Sequence, residues 1–142
     1  MYRRTFAATL LVAPLATFAL DCSYARPEAF ASFFERFGKE PAFAISRTVF
    51  PLQFLKWEYG IDSSGKDESA PVKSFLPKES FANWKALNSY MKDNGLQFRF
   101  KKVTATVAVV DVFKDSSDWL VSYHFKVKSG CWYLWQYEDQ SL

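Results

Sequence analysis

One carboxylate in an apolar strand is the residue best suited to acid–base chemistry. Asp111 lies on the same face of an alternating stretch as Val109 and Phe113. A carboxylate on such a face must find a partner or change its pKa. Asp111 could therefore serve as a general base while Tyr123 or another tyrosine donates to an oxyanion. We favour the structural alternative, a salt bridge to Arg47 or a position in water at the end of the sheet.

Two cationic side chains are further candidates. Arg47 is the only charged residue in the stretch 41–55, and its guanidinium could clamp an anionic ligand. A buried ion pair or a backbone cap where a helix meets a strand is the structural alternative. His124 would need an acidic partner across the strand for catalysis, and its neighbours Ser122 and Lys126 favour a solvent-facing side chain.

Aromatic residues make up 19% of the chain and could form the wall of a binding cavity. Tyr133, Trp135 and Tyr137 alternate along the last predicted strand and therefore share one face. Such a face is either core or a binding wall, and core is the commoner outcome. The candidate ligand-binding residues are Arg47, Trp57, Asp111, Tyr123 and Trp135.

Composition and missing motifs exclude several functional classes. Eighteen basic and fifteen acidic residues give a formal charge of +3, which is not the concentrated basic stripe that nucleic acids require. One His and two Cys are too few for a zinc site built only from these residues. The sequence has no Gly-rich phosphate loop, nucleophile elbow or carboxylate cluster with metal spacing. We therefore expect no cofactor, no metal and no nucleic-acid partner.

Hydrophobic periodicity predicts the elements that position these residues. Four phenylalanines at i, i+3, i+4 and i+7 predict an amphipathic first helix, which buries Phe30, Phe33, Phe34 and Phe37. The expected elements are helices over 27–37, 40–46 and 78–93, a strand over 48–59, a polar loop over 60–77, and strand regions over 97–114, 119–128 and 131–138. Tight turns between the last three regions predict an antiparallel meander.

The first 25 residues have the pattern of a secretory signal. Arg3 and Arg4 precede the uncharged stretch 5–20, and Ser23 and Ala25 supply the small residues that a signal peptidase reads. The stretch is short for a spanning helix, which needs about 20 residues. We expect cleavage after Ala25, which leaves a single α+β domain over 26–142 in the periplasm or outside the cell, without stable membrane insertion. An uncleaved N-terminal anchor is the alternative.

A second cleavage position follows Ala19. Cleavage there would retain Cys22, which could pair with Cys131 in an oxidising compartment. Cleavage after Ala25 would leave Cys131 as the only cysteine, and a buried hydrophobic role would then suit it. We prefer the later position, although the sequence leaves both the cleavage point and the pairing open.

The order of elements is that of an α+β fold with N-terminal helices packed on a curved antiparallel sheet. The closing segment 125–134 consists of a strand, a Gly turn, a Trp and a further strand. In this segment and in the order of its elements, the chain resembles the nuclear-transport-factor-2-like cone. Ketosteroid isomerases and many small-molecule pockets share that fold. The resemblance implies a cone that could enclose a ligand, and the isomerases use an Asp inside it.

Four short motifs stand out along the chain: Ser46-Arg47, Phe50-Pro51-Leu52, Gly130-Cys131-Trp132 and Asp139-Gln140-Ser141-Leu142. With these motifs, the chain over about 28–142 resembles an exported bacterial family, domain-of-unknown-function family 4348. Ala44 stands where that family has Gln. The resemblance implies a fold and an exported location, and it implies no known activity.

These observations predict an exported, non-catalytic binding module. Its partner would be a small apolar molecule or another protein, such as a secreted toxin that an immunity protein blocks. The alternative is a small isomerase- or hydrolase-like enzyme that uses Asp111 as its general base. The oligomeric state stays open.

Overall fold

A computed structural model describes residues 21–142. Most of the predicted signal peptide, 1–25, therefore lies outside the described residues. Along the chain, two helices precede the first strand, and a third helix lies between the second and third strands. A short 3-10 turn, Lys78–Phe81, follows the second strand. The helices are α1 (Phe30–Lys39), α2 (Pro41–Ser46) and α3 (Leu87–Asn94), and the strands are β1 (Thr48–Glu58), β2 (Ala70–Leu76), β3 (Gln97–Val103), β4 (Val107–Phe113), β5 (Leu120–Lys128) and β6 (Cys131–Asp139).

The six strands form one curved, open sheet in the order β2-β1-β6-β5-β4-β3. Strands β3 to β6 are a four-stranded antiparallel meander, and β1 joins it by pairing parallel to β6. The helices cover one side, which we call the inner face; it carries Val110, Tyr123 and Phe125. Alternate residues of the same strands form the outer face, which carries Asp111 and Ser122. The predicted α+β class is confirmed.

The phenylalanine stripe of α1 forms the centre of the core, as the sequence predicts. Its four rings are between 0% and 7% exposed. The rings of Phe33 and Phe37 lie 5.5 and 5.3 Å from that of Phe125 on β5, both edge to face. Because aromatic pairs in this geometry gain more than their buried area alone provides, the stripe holds the helix against the sheet.

Three predicted elements were wrong in extent. The loop expected over 60–77 contains β2, whose exposed, Pro71-containing sequence gives little strand signal because β1 supplies its pairing. The helix expected over 78–93 is a 3-10 turn and the separate helix α3, with the non-helical stretch 82–86 between them. The strand expected over 97–114 is two strands, because Thr104 Oγ1 accepts a hydrogen bond from the Val107 backbone N–H and closes a turn.

Residues 21–29, which we call the N-terminal strap, are fastened to the sheet. Cys22 and Cys131 form a disulfide with their Cα atoms 5.3 Å apart. Cys131 is therefore paired in the described chain, whereas cleavage after Ala25 would leave it unpaired. Gly130 adopts φ +79°, and a Cβ there would collide with the backbone of Ser23. The strap thus belongs to the packed structure, and removal of residues 21–25 would remove its disulfide.

Within residues 21–142, no helix combines the length and apolarity needed to cross a membrane.

Candidate functional site

A cavity of about 370 Å³ opens on the inner face, between the sheet and the chain that leads into α3. Leu52 of β1 and Leu87 of α3 supply apolar walls, and three tyrosines line it from the sheet and α3: Tyr90, Tyr123 and Tyr137. We call it the tyrosine cavity. Its mouth is formed by 79–85, so irregular chain borders the opening while strands and a helix form the floor.

The register of the sheet brings two of these tyrosines together. Tyr123 of β5 is paired with Tyr137 of β6, so both side chains project from the inner face. Their rings meet edge to face with centroids 5.1 Å apart. Phe54 of β1, which is paired with Tyr137, lies 5.5 Å from it. The floor of the cavity is therefore set by three neighbouring strands.

The tyrosine hydroxyls are polar groups in apolar surroundings. Burial raises the pKa of Tyr123 well above its ordinary value, and the neighbouring Tyr137 contributes. Burial also raises the pKa of Tyr137, with a further contribution from the charge of Asp139. Both hydroxyls are therefore protonated at neutral pH. Among the described residues, neither hydroxyl has a protein hydrogen-bond partner, and the one buried side-chain N or O atom without a partner is Trp119 Nε1. The two hydroxyls are therefore open to the cavity, and both can donate to a guest molecule.

The mouth of the cavity is aromatic. Phe81 and Trp84 lie with their ring centroids 4.4 Å apart, and Phe81 also contacts Phe50 of β1 at 5.2 Å. Glu79 and Lys85 add opposite charges at the solvent side. The cavity thus combines apolar walls, hydroxyl donors at its floor and charged groups only at its rim, a composition typical of small-molecule sites.

The structure places Asp111 on the outer face, away from the tyrosine cavity. Asp111 is 1% exposed. Its carboxylate accepts hydrogen bonds from Ser122 Oγ at 2.7 Å and from the Arg99 guanidinium at 3.1 and 3.2 Å. The expected salt bridge to Arg47 is wrong, because Arg99 of the neighbouring strand lies directly opposite Asp111. Asp111 and Tyr123 project from opposite faces and do not converge on one pocket.

Arg47 lies at the junction of α2 and β1 and is 3% exposed. Its Nη1 donates to Glu28 Oε2 at 2.9 Å and to the backbone carbonyl of Trp132 at 3.2 Å. Glu28 also accepts from the Trp132 backbone N–H at 3.1 Å. Because these donors are already engaged, Arg47 ties the N-terminal strap to β6 and does not line the tyrosine cavity.

The remaining candidates lie on the outer face around Glu138. Trp57 Nε1 donates to Glu138 Oε1 at 2.6 Å, and His124 Nε2 lies 2.9 Å from Glu138 Oε2. Trp135 flanks His124 with ring centroids 6.3 Å apart. His124 thus has the acidic partner that catalysis would require, and its side chain is only 20% exposed. Trp57 satisfies the same carboxylate, and none of Trp57, His124 and Glu138 lines the tyrosine cavity.

Sequence reasoning identified only Tyr123 of the cavity as a site residue. Tyr137 is predicted to share a face with Tyr133 and Trp135, and this is wrong, because the pairing of β5 with β6 shifts register between His124 and Phe125 and puts Tyr137 on the inner face. The other lining residues Tyr90, Leu87 and Trp84 lie within the helix predicted over 78–93. The interrupted stretch 82–86 contains neither Gly nor Pro, so the sequence carries no breaker signal that would have found the interruption. The interruption leaves space between the strands and α3. Within residues 21–142, no group of three His, Cys, Asp or Glu side chains could hold a metal ion.

Helices on the inner face of a curved, open sheet, with a cavity between them, define a nuclear-transport-factor-2-like cone. A solved nuclear-transport-factor-2-like protein from Bacteroides fragilis superposes with a TM-score of 0.57 at 20% identity, over 82% of this chain and 48% of that one. This chain therefore spans about half the length of that protein. At this identity the likeness shows the fold alone.

Two other Bacteroides structures have lower scores. A cystatin-like protein from Bacteroides caccae gives a TM-score of 0.48 at 20% identity, over 79% of this chain and 76% of that one. A protein from Bacteroides uniformis gives 0.47 at 19% identity, over 78% and 76%. No family model and no curated protein matches this chain. Membership of domain-of-unknown-function family 4348 therefore stays a prediction.

Proposed function

We propose that the protein is an exported, non-catalytic binding module that holds a small, largely apolar molecule in the tyrosine cavity. The observation that carries the proposal is the pair of tyrosines, Tyr123 and Tyr137, whose hydroxyls have no protein hydrogen-bond partner among the described residues and which line the cavity. A guest with an acceptor atom would take a hydrogen bond from one of these hydroxyls, which contributes about 0.5–1.5 kcal/mol net. Its apolar body would fill the cavity.

The position of the titratable groups favours binding over catalysis. A general base must lie within hydrogen-bond reach of the proton that it removes. The chain's single His and Asp111 are both on the outer face, and the charged groups of the cavity, Glu79 and Lys85, stand at its exposed rim. The arrangement around Asp111 thus lends no support to the isomerase- or hydrolase-like alternative.

Paired ligands test this proposal directly. 1-Tetralone and tetralin have nearly the same shape, but only the ketone can accept a hydrogen bond from a tyrosine. We expect saturable binding of both by calorimetry, with the ketone about tenfold tighter, as one well-placed hydrogen bond provides. The substitutions Tyr123→Phe and Tyr137→Phe should remove this preference. Tyr133→Phe, at a tyrosine outside the cavity, is the matched control.

A cavity-filling variant separates specific binding from surface adsorption. Ala82 is exposed and lies at the mouth, so Ala82→Trp should obstruct entry without disturbing the core. Both ligands should then bind at least about tenfold more weakly. Equal binding by the unaltered protein and Ala82→Trp, or a ketone preference that survives both tyrosine substitutions, would reject the tyrosine cavity as the site.

We also propose that the signal is cleaved after Ala19 rather than Ala25. The buried Cys22–Cys131 disulfide supports this position, because such bonds persist in oxidising compartments and the later cut would discard Cys22. The intact mass of periplasmic protein should match a chain that begins at Leu20 with two fewer hydrogens than the reduced form. A mature chain that begins at Arg26, or full-length protein in the membrane fraction, would reject the earlier cut.

A further inference from the structure

The open sheet ends in two edge strands, β2 and β3, which differ in how well they are protected against the addition of another strand. Edge strands expose unpaired backbone groups and invite another strand to add. At one end, β2 contains Pro71, which has no N–H to donate, and acidic Asp67 and Glu68 precede it. At the other end, β3 has neither Pro nor Gly in its seven residues. Within residues 21–142, its only strand partner is β4, so one backbone edge of β3 is free.

A half-exposed aromatic surface lies along the free edge of β3. Phe98 and Phe100 are each 46% exposed, and their ring centroids are 5.6 Å apart. Both rings rest against Phe34 of α1, at 5.2 and 5.6 Å. Val103, which is 49% exposed, continues the apolar row on the same face of the strand. The core packs against one side of the two phenylalanine rings, and the other side of the row is exposed to solvent.

The same strand carries unpaired positive charge. Lys101 and Lys102 are exposed, and neither forms a salt bridge with any described residue. The pairing of β3 with β4 shifts register between Phe100 and Lys102, so Lys101 is the extra residue of a bulge. We refer to Phe98, Phe100, Lys101, Lys102 and Val103 as the β3 edge. It combines a strand backbone, an apolar row and two free ammonium groups.

A second copy of the chain is a poor occupant for the β3 edge. Antiparallel pairing of two β3 strands would bring their lysines close to each other, and like charges across a strand pair are destabilising. An edge with such charges disfavours self-pairing. The same charges attract carboxylates, so charge complementarity selects an acidic partner strand.

We propose that the β3 edge binds an extended acidic segment of a partner protein, which adds to the sheet as a seventh strand. Its backbone would pair with the free edge of β3. Apolar side chains at alternate positions would cover Phe98 and Phe100, and carboxylates would pair with Lys101 and Lys102. This site lies at the opposite end of the sheet from β2 and is separate from the tyrosine cavity, so its failure would leave the cavity proposal unaffected.

A pair of synthetic peptides tests the chemistry. The probe is acetyl-Glu-Leu-Glu-Phe-Glu-Leu-Glu-amide, and its counterpart has Lys in place of every Glu. We expect the acidic peptide to bind at least about tenfold more tightly at low salt, and to lose most of that advantage at about 1 M salt. Amide hydrogen exchange should show new protection at residues 97–103, which charge attraction without strand addition would not produce.

Variants at the two edges sharpen the test. Lys101→Glu with Lys102→Glu should reverse the preference between the two peptides. Lys73→Glu, the matched charge reversal on β2, should leave it unchanged. Replacement of both Phe98 and Phe100 by Thr should weaken acidic-peptide binding about tenfold. Since these two residues also contact the core, retained folding is checked by circular dichroism, and the lysine variants provide the test that does not depend on it.

Four results would overturn the proposal. The first is equal binding of both peptides, and the second is protection that appears at β2 instead of 97–103. The third is concentration-dependent self-association that protects 97–103 without peptide, which would make a second copy the occupant. The fourth is binding of phosphatidylglycerol vesicles through Lys101 and Lys102 without any peptide binding, which would assign the charges to a lipid surface.

Discussion

The two faces of this sheet are built from alternate residues of the same strands, yet they are held by different interactions. On the inner face, Val110 and Phe125 are fully buried against the phenylalanines of α1. On the outer face, Asp111, Ser122 and Glu138 form hydrogen bonds and ion pairs with partners on five strands, from β3 to β1. A single-residue shift of register would exchange these two environments completely.

This difference shows which polar groups of the sheet are still available to bind a ligand. The outer-face carboxylates are already occupied: Asp111 by Arg99 and Ser122, and Glu138 by Trp57 and His124. The inner face is mostly apolar, and its tyrosine hydroxyls lack protein partners among the described residues. Polar groups that satisfy one another stabilise a fold, whereas isolated polar groups beside a cavity are available to a ligand.

Truncation in the inner core should have the largest effect. Phe33→Ala removes a ring that is 1% exposed and contacts Phe125. We expect the free energy of unfolding in urea to fall by about 3–5 kcal/mol. Phe75→Ala, at a ring 57% exposed on β2, is the control and should cost under about 1 kcal/mol. A small loss for Phe33→Ala would mean that burial on the inner face does not dominate stability.

Much of the fold was accessible from the sequence because its signals are local. The spacing of the phenylalanines predicted α1, and alternation predicted the strands of the meander. Edge strand β2 was missed because its pairing partner, and not its own sequence, makes it a strand. The disulfide was left open because cysteine spacing does not determine pairing, and the choice depended on where the signal is cleaved.

The candidate site was harder to predict from the sequence, because the register of the strands decides from which face of the sheet a side chain projects. Alternation indicated that Asp111 shares a face with Val109, but not which face the helices would cover. The sequence does not indicate Arg99 as its partner, because it leaves open whether and where the region 97–114 breaks, and the pairing of Arg99 with Asp111 depends on that turn. Tyr137 joined Tyr123 through the pairing of β5 with β6, and Tyr90 lines the same cavity from α3.

Removal of the outer-face carboxylate should have an intermediate effect. Asp111→Ala leaves the buried Ser122 hydroxyl without this acceptor, while Arg99 can turn into water because its side chain is 60% exposed. We expect a loss of about 1–3 kcal/mol in urea unfolding. Asp111→Asn keeps an acceptor for Ser122 and should cost less.

The same variants test the separation of the two faces. Tetralone affinity in Asp111→Asn should equal that of the unaltered protein, because the carboxylate projects away from the tyrosine cavity. Asp118→Ala, at an exposed turn position, is the stability control and should change unfolding by under about 0.5 kcal/mol. Loss of tetralone binding in folded Asp111→Asn would show that the faces are coupled and would revive Asp111 as a site residue.

The smallest effect should come from the ionisation of the inner-face tyrosines. Burial raises the pKa of both Tyr123 and Tyr137 above that of an unfolded tyrosine, which is about 10. Above pH 10 the unfolded chain therefore binds fewer protons than the folded one, and stability falls as pH rises. The stabilisation is fully present below about pH 10 and is lost as pH rises toward the folded-state pKa values.

This alkaline loss should be specific to the cavity hydroxyls. Between pH 9 and 11, Tyr137→Phe should lose about 1 kcal/mol less unfolding free energy than the unaltered protein, because phenylalanine has no proton to release. Tyr24→Phe, at a side chain 84% exposed, is the matched control and should follow the unaltered protein. Urea unfolding at the two pH values measures the difference. If Tyr137→Phe loses stability as steeply as the control, Tyr137 is hydrated in the folded protein, and the contrast between a dry inner face and a polar outer face fails at the cavity.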